Sequence, residues 1–358
     1  MQRRRGVGVV MVAGLLVLSG CLGGAGADEG ADTTDIDGQL EVHHIDVGQA
    51  DSTLLVTPTG ETILIDTGDW RADGQEVIDY LETQDIDRID HLVATHAHAD
   101  HIGGHAAVIE HFEEHGEGVG AVYDSGVVHT SQTYEGYLDA IEDHEVTLIQ
   151  VSEGYTLDLE DERVEATVLN PPENESGVGL DANSVALAVE FRSFSYLTTG
   201  DVDETAERRL LETHDDGLAA DAYQAGHHGS STSSTLPFLE RVDPEIAVIS
   251  SPLESQYGHP HDEVLESFAE RGIETYWTGV HGDVVLTTDG NDVAVTAERE
   301  ATADPAALLE RKHEAQSPDD TSSSSLSPPR VAERPQAGPA ATTPWPVVDT
   351  AVTPTVDT

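Results

Sequence analysis

The stretch THAHADHIGG, residues 95–104, places His96, His98, Asp100 and His101 within six residues and closes on two glycines. Neutral imidazole and carboxylate are the ligand types that suit zinc and its neighbours, and alternate spacing lets several of them converge from one loop. These four side chains can therefore feed two adjacent ions. Residues 90–95 just before them read as a short apolar strand, and residues 106–115 after them have helical character. A strand end followed by a Gly-Gly turn puts the cluster at the rim of a sheet, where open α/β folds carry their sites. The bland alternative, a solvated polar loop in a chain with 18 histidines, is weakened by motifs further along the chain.

The amino terminus carries Arg3, Arg4 and Arg5, an apolar run over residues 7–18, and then Leu18-Ser19-Gly20-Cys21. This reads as an export signal over residues 1–21 ending in a lipobox, because the run is short for a bilayer span and small residues precede the cysteine. Cleavage and lipid attachment at Cys21 would place the body on the extracellular face of the cytoplasmic membrane, lipid-anchored. An uncleaved anchor helix and twin-arginine export are the alternatives. Cys21 is the only cysteine, so any metal site must be built from nitrogen and oxygen.

The net charge of −53 arises from 69 acidic against 16 basic residues, and Lys312 is the only lysine. Such acidity resembles that of proteins from salt-loving organisms, so the chain as a whole is similar to a haloarchaeal-type lipoprotein. At molar salt the Debye length shrinks to about 3 Å and self-repulsion is screened. The charge argues against a strongly basic nucleic-acid groove, since binding driven by counterion release fades as salt rises.

Residues 22–38 are small and acidic, as expected of a flexible tether. Strand-like runs fall at 40–45, 52–57, 62–65, 164–169, 185–191, 196–199, 246–249, 284–288 and 293–297, and helical patterns at 75–82, 133–143, 204–212, 235–241 and 263–271. The mingling of strands and helices over residues 39–299 suits one α/β domain of sheet layers covered by helices. Residues 300–358, rich in Ser, Pro, Thr and Ala, are expected to be a disordered tail.

Four further stretches carry candidate chemistry. ILIDTGD (63–69) is an apolar strand ending in Asp66, TGD (199–201) ends another at Asp201, GHHG (226–229) doubles His227 and His228, and YGHP (257–260) holds His259. Each has a structural alternative. Asp201 or Asp203 could cap the helix at 204–212, Asp66 could be a turn residue before Gly68, and His259 could belong to a proline-rigidified surface turn.

With IDVGQADSTLLV (45–56), NSVALAVEF (183–191) and GHHGSS (226–231), these motifs in this order resemble the metallo-β-lactamase fold hydrolases, and most closely the ComEC-like competence-protein domain. The resemblance covers about residues 40–297. It implies a four-layer αββα sandwich with two divalent metal ions at one edge, zinc first and manganese second. Carried over to this chain, His96 and His98 would hold one ion, Asp100 with His101 the other, and Asp201 would bridge both. Of the histidine pair, one would ligate metal and the other orient substrate or protonate a leaving group, with His227 preferred as the ligand. Asp66 would accept a hydrogen bond from a ligand histidine, and Asn183 would lie near the site.

The pattern departs from the family in two places. Many members have another histidine between the first cluster and the bridging aspartate, for which His129 and His144 are the nearest options here. Gln224 stands where competence-type relatives commonly have lysine, which weakens the case for nucleic acid.

The resemblance implies a metal-dependent hydrolase with a bridging hydroxide nucleophile, acting on phosphodiesters in nuclease-like fashion, and the export signal would place that activity outside the cell. Asp100, His228 and His259 are its candidate catalytic groups. The substrate is expected to be a small molecule or a phosphodiester, DNA included, and the membrane partner is reached through lipid on Cys21. Hydrolysis of a carboxylic ester, lactone or amide is one alternative; a competence-type DNA-uptake accessory, or a metal-binding surface module without turnover, is another.

Overall fold

Alternation of side-chain faces builds two sheets, each apolar on both sides. In β1 (Leu40–His44), β2 (Thr53–Val56) and β3 (Thr62–Ile65), Leu40, Val42, Leu55, Ile63 and Ile65 join one buried cluster while Leu54 and Leu64 join another. That is the period of two of a pleated strand. The computed structural model describes residues 38–173, 179–214 and 217–317. The expected export signal, the lipid site at Cys21 and nearly all of the tether lie outside the described residues, as does the tail beyond residue 317.

The first sheet continues through β4 (Ile89–Val93), β5 (Val119–Asp124) and β6 (Thr147–Gln150). The second holds β7 (Val164–Asn170), β8 (Ala186–Phe191), β9 (Phe194–Thr198), β10 (Ala222–Gln224), β11 (Ile246–Ile249) and β12 (Glu274–Trp277). Then β13 (Val284–Thr288) and β14 (Val293–Ala297) return to the first sheet, whose order is β14-β13-β1-β2-β3-β4-β5-β6; the second runs β12-β11-β10-β9-β8-β7. In both sheets an antiparallel half passes into a parallel half, from β3 to β6 in one and from β9 to β12 in the other.

The sheets face each other across a core containing Val42, Ile63 and Val93 from one side and Val168, Val189 and Val248 from the other. Against the outer face of the first sheet pack α1 (Gln75–Thr83), α2 (His105–His115) and α3 (Gln132–Asp143), through Val77, Leu81, Val108, Phe112 and Tyr137. The outer face of the second is covered by α4 (Glu204–Thr213), α5 (Leu236–Val242) and α6 (Asp262–Arg271). After the single-turn α7 (Thr278–His281), one more helix, α8 (Pro305–Gln316), joins that layer by burying Leu308. The architecture is the four-layer αββα sandwich.

The helix α8 corrects the expectation of a disordered tail from residue 300. Asp304 caps it by accepting from Ala306 N, Pro305 occupies its first turn, and the buried ammonium of Lys312 pairs with Asp262 on α6. Its low apolar content hid it, since only one stripe meets the body.

Two constraints tie the site loops to this frame. A Cβ on Gly104 would lie 2.5 Å from Thr67 O and from Gly74 Cα, and one on Gly103 would collide with Trp70 N and Ala99 O. The glycine pair thus lets the histidine-rich loop pack directly on the segment after β3. On the other sheet, buried Glu207 of α4 accepts from the backbone N–H groups of Ser234 and Thr235 at the start of α5.

Burial pushes the Glu207 carboxyl up to about 7, against the opposing pull of its hydrogen bonds to Thr235 and Ser234. The acid is raised from its ordinary 4.5, so the native state binds the extra proton. The associated stability is present below pH 4.5 and is lost as pH rises through about 7, a change of about 3 kcal/mol. We expect Glu207→Gln to flatten the fall in unfolding free energy between pH 5 and 8, measured by denaturant titration in molar KCl. An unchanged slope would show that Glu207 does not carry the effect.

Candidate metal centre

The chain delivers its candidate ligands from strand ends that share one edge. Parallel β3 and β4 end at Asp66 and at the loop beginning Thr95-His96. Parallel β9 and β10 end just before Asp201 and the His227-His228 pair. Both sheets thus present the carboxyl ends of parallel strands to the same place, the usual position of an α/β site.

Two groups of donor atoms form there, each with its members within 4.8 Å of one another. One is Asp51, His101, Asp201 and His228; the other is His96, His98, Asp181 and Asp201. Asp201 is common to both and divides its oxygens between them. Its Oδ1 lies 3.3 Å from His101 Nε2 and 4.0 Å from His228 Nε2. Its Oδ2 lies 3.7 Å from His96 Nε2 and 3.5 Å from His227 Nε2. In the second group His98 Nδ1 is 2.8 Å from His96 Nε2 and 3.2 Å from Asp181 Oδ1.

The capping alternative for Asp201 falls to its neighbour. Asp203 accepts from Thr205 N and Ala206 N at 2.9 Å and caps α4, which leaves Asp201 buried among imidazoles. Asp66 is buried at the end of β3. Its Oδ1 accepts from Thr95 N at 2.8 Å, and its Oδ2 accepts from Thr95 Oγ1 at 2.6 Å and from His101 Nδ1 at 2.7 Å. With Nδ1 so engaged, His101 offers Nε2 toward Asp201. Asp51, which sequence reasoning left unassigned, faces the Nδ1 edges of His228 at 3.6 Å and His101 at 4.0 Å.

The geometry reverses the preference within the histidine pair. His228 is the buried member, its Nδ1 held 3.1 Å from Ser250 O and its Nε2 3.5 Å from Asp100 Oδ2. His227 is about a quarter exposed, and its Nδ1 lies 3.1 Å from Thr232 Oγ1. Both residues have left-handed backbone, φ 53° and 55°, so consecutive side chains are thrown to different sides of a tight turn and only one reaches the interior. Asp100 lies on the His228 side, outside both donor groups.

The histidine sought between the first cluster and Asp201 is replaced by a carboxylate. Asp181 fills that place from a short 3-10 turn, Asp181–Asn183. Asn183 is buried and donates from Nδ2 to Gly179 O at 2.6 Å, bracing the turn that carries Asp181. The His129 ring lies 6.4 Å from that of His98 and outside both groups, and His144 caps the end of α3. Gln224 is buried beneath the site, accepting from Tyr196 OH at 3.1 Å and Thr53 Oγ1 at 3.3 Å. Its lack of charge therefore says little about a substrate groove.

The donor set fits cations. Asp51 Oδ1, His101 Nε2, Asp181 Oδ1, Asp201 Oδ1 and His228 Nε2 are buried without hydrogen-bond partners, although buried polar atoms in native folds are normally satisfied. All five converge on the two groups. Burial alone would raise the Asp201 carboxyl, but His101 and His228 outweigh it and hold it well below the carboxylate range. Burial would lower His101, yet Asp201 and Asp66 drive it well above the usual imidazole value; His228 is raised in the same way by Asp51 and Asp201. The site is a concentration of negative potential that demands positive charge, and nitrogen and oxygen donors of this kind suit divalent metal.

His259 completes the surroundings. Its ring stacks at 6.2 Å over His228, and its Nδ1 lies 3.2 Å from Gln49 Nε2. Burial, and then the neighbouring His228, lower its pKa to about 4.

This fold and this paired donor site define a metal-dependent hydrolase class, and the chain belongs to the metallo-beta-lactamase superfamily, whose family model matches residues 45–251. Among curated relatives it is similar to ComE operon protein 3 of Bacillus subtilis (strain 168), 29% identical over 260 residues covering 68% of this chain and 32% of that protein. It is likewise similar to competence protein ComA of Neisseria gonorrhoeae, 29% identical over 238 residues covering 66% of this chain and 30% of that protein. The matched region thus spans about a third of the length of these relatives. Among solved structures, CmlA, a diiron beta-hydroxylase from Streptomyces venezuelae, aligns with 14% identity and a TM-score of 0.46, covering 70% of this chain and 54% of that one.

Loss of the Asp66 brace should weaken metal binding without removing a donor. We expect Asp66→Ala to lower divalent-metal affinity by about 10–100-fold, read by competition with a chromophoric chelator. Unchanged affinity would show that His101 needs no such support.

Proposed function

We propose that this protein is a two-metal phosphodiesterase acting outside the cell. The observation that carries this reading is the division of Asp201, whose two oxygens each face a separate group of imidazole and carboxylate donors. A bridging carboxylate suits a pair of cations a few ångströms apart. In this reading His96, His98 and Asp181 would hold one ion, and His101, His228 and Asp100 the other. Two divalent ions, when bound, would supply Lewis acidity and a water ionised near neutral pH.

The remaining residues would position and protonate. Asp66 fixes the tautomer of His101, and Asp51 faces the same edges of His101 and His228. Ser255 Oγ donates to Gln49 Oε1 at 2.5 Å, which turns the Gln49 amide nitrogen toward His259 Nδ1. His259 would then carry its proton on Nε2 and act as a neutral hydrogen-bond donor to the substrate or leaving group. His227, less buried and beside Asp201, would orient substrate.

The fold alone does not separate phosphodiester from acyl substrates, and the competence names of the relatives favour the phosphodiester of a nucleic acid. They equally support a second reading, that of an accessory to DNA uptake. The extracellular location rests on the lipobox read at Cys21; among the described residues no helix is long and apolar enough to cross a membrane.

The test is hydrolysis of bis-p-nitrophenyl phosphate in molar KCl, with chelator and with added zinc or manganese. We expect metal-dependent turnover that falls about a hundredfold or more in Asp201→Asn, beyond the loss typical of an outer hydrogen-bond partner. Metal-loaded protein with no phosphodiester turnover would overturn the reading, and binding of DNA by that inactive protein would favour the accessory role.

A further inference from the structure

One cavity opens beside the donor groups. It measures about 550 Å³, and its wall includes Asp100 and Gln49, which touch His228 and His259 respectively. Trp70 and Tyr257 line it as well. They are 52% and 59% exposed, and no other aromatic stands among the exposed large hydrophobic residues of the described chain. Leaving an indole this bare forgoes a large part of its burial free energy.

Trp70 is also held in place. Its backbone N–H donates to Ala99 O at 3.0 Å, and Gly103 passes so close that a Cβ there would strike Trp70 N. The loop carrying His98 and Asp100 therefore fixes the backbone from which the indole projects. On one side of the ring lies the Arg71 guanidinium, 4.8 Å from the centroid and anchored to Asp69 by bonds of 2.9 and 3.1 Å. The arrangement stiffens the side chain and leaves a second ring face for a ligand.

Charge does not equip this cavity to grip a polyanion. Arg71, its one basic lining residue, is committed to Asp69, and Glu76 and Asp100 add negative charge. The whole chain carries −53, and attraction through counterion release is lost at high salt. A nucleobase offers a different handle, because every base has a π-face that stacks on an aromatic side chain whatever the groove charge.

We propose that Trp70, with Tyr257, forms a stacking platform for an unpaired base next to the phosphodiester that reaches the donor groups. The substrate class is then a base-bearing, single-stranded phosphodiester, recognised by its ring rather than its backbone charge. This inference rests on the phosphodiesterase reading above and assigns Trp70 as its specificity-determining residue.

The experiment uses the full chain in molar KCl with zinc or manganese, a thymidine oligonucleotide, and an abasic oligomer of equal length. Tryptophan fluorescence and hydrolysis are followed for both. Trp277 is fully buried, and a Trp70→Tyr variant identifies the signal belonging to Trp70. We expect the base-bearing oligomer alone to quench Trp70 and to show a KM about tenfold lower than the abasic one. Trp70→Ala should abolish that preference, and Trp70→Tyr, which restores a ring, should keep most of it. Equal KM values and no quenching, with hydrolysis intact, would overturn the platform and leave the phosphodiesterase reading standing. Base-dependent quenching with no hydrolysis of either oligomer would support the platform and overturn that reading.

Discussion

The buried carboxylate of Asp201, shared between two sets of donors, is the constraint around which the molecule is organised. A carboxylate removed from water is costly unless positive charge or strong donors surround it. Here the surroundings come from both sheets: His96 and His101 follow a strand of the first, and His227 and His228 follow a strand of the second. The parallel half of each sheet has to end at the same edge for this to happen, so the topology is a requirement of the site. Apolar packing between the sheets holds the two ends in register, with Val93 on β4 and Val248 on β11 in one buried cluster.

Local backbone cost is concentrated at the same place. Asp66, His227 and His228 all have positive φ, a conformation that costs of order 1 kcal/mol or more for residues with a Cβ. Each is held by contacts that a relaxed backbone would lose. Asp66 engages both the N–H and the hydroxyl of Thr95 as well as His101, and His228 engages Ser250 O. The large sandwich core supplies the stability that lets this edge stay strained and rich in unsatisfied polar atoms.

Membership of the metallo-beta-lactamase superfamily explains the frame and leaves the substrate to the rim. The fold hosts many chemistries by varying the loops around one metal edge. In this chain the rim holds the short turn that offers Asp181, the Gln49–Ser255 pair beside His259, and the bare ring of Trp70. The curated relatives use a domain of this kind within chains about three times the matched length, so their whole activity does not transfer with the fold.

Much of this was readable from local sequence, because local signals report local physics. Dense histidines at 96–101 and apolar strands ending in Asp66 and Asp201 marked candidate donors, period-two runs marked sheet layers, and the resemblance supplied the four-layer sandwich. Weak signals hid other elements. The edge strand Thr147–Gln150 is largely exposed and so carries no apolar alternation, Ala222–Gln224 is only three residues long, and the helix Pro305–Gln316 buries a single narrow stripe. The sequence by itself determined which kinds of ligand exist and in what order, since side-chain chemistry and strand periodicity are properties of short segments. Tertiary structure alone decided that His228 rather than His227 turns inward, that Asp181 comes beside His98 while Asp51 faces the His101 and His228 rings, and that Gln224 is buried beneath the site. Those outcomes depend on where distant strand ends converge and on which face of a tight turn meets the interior, and neither is encoded in any one stretch of chain.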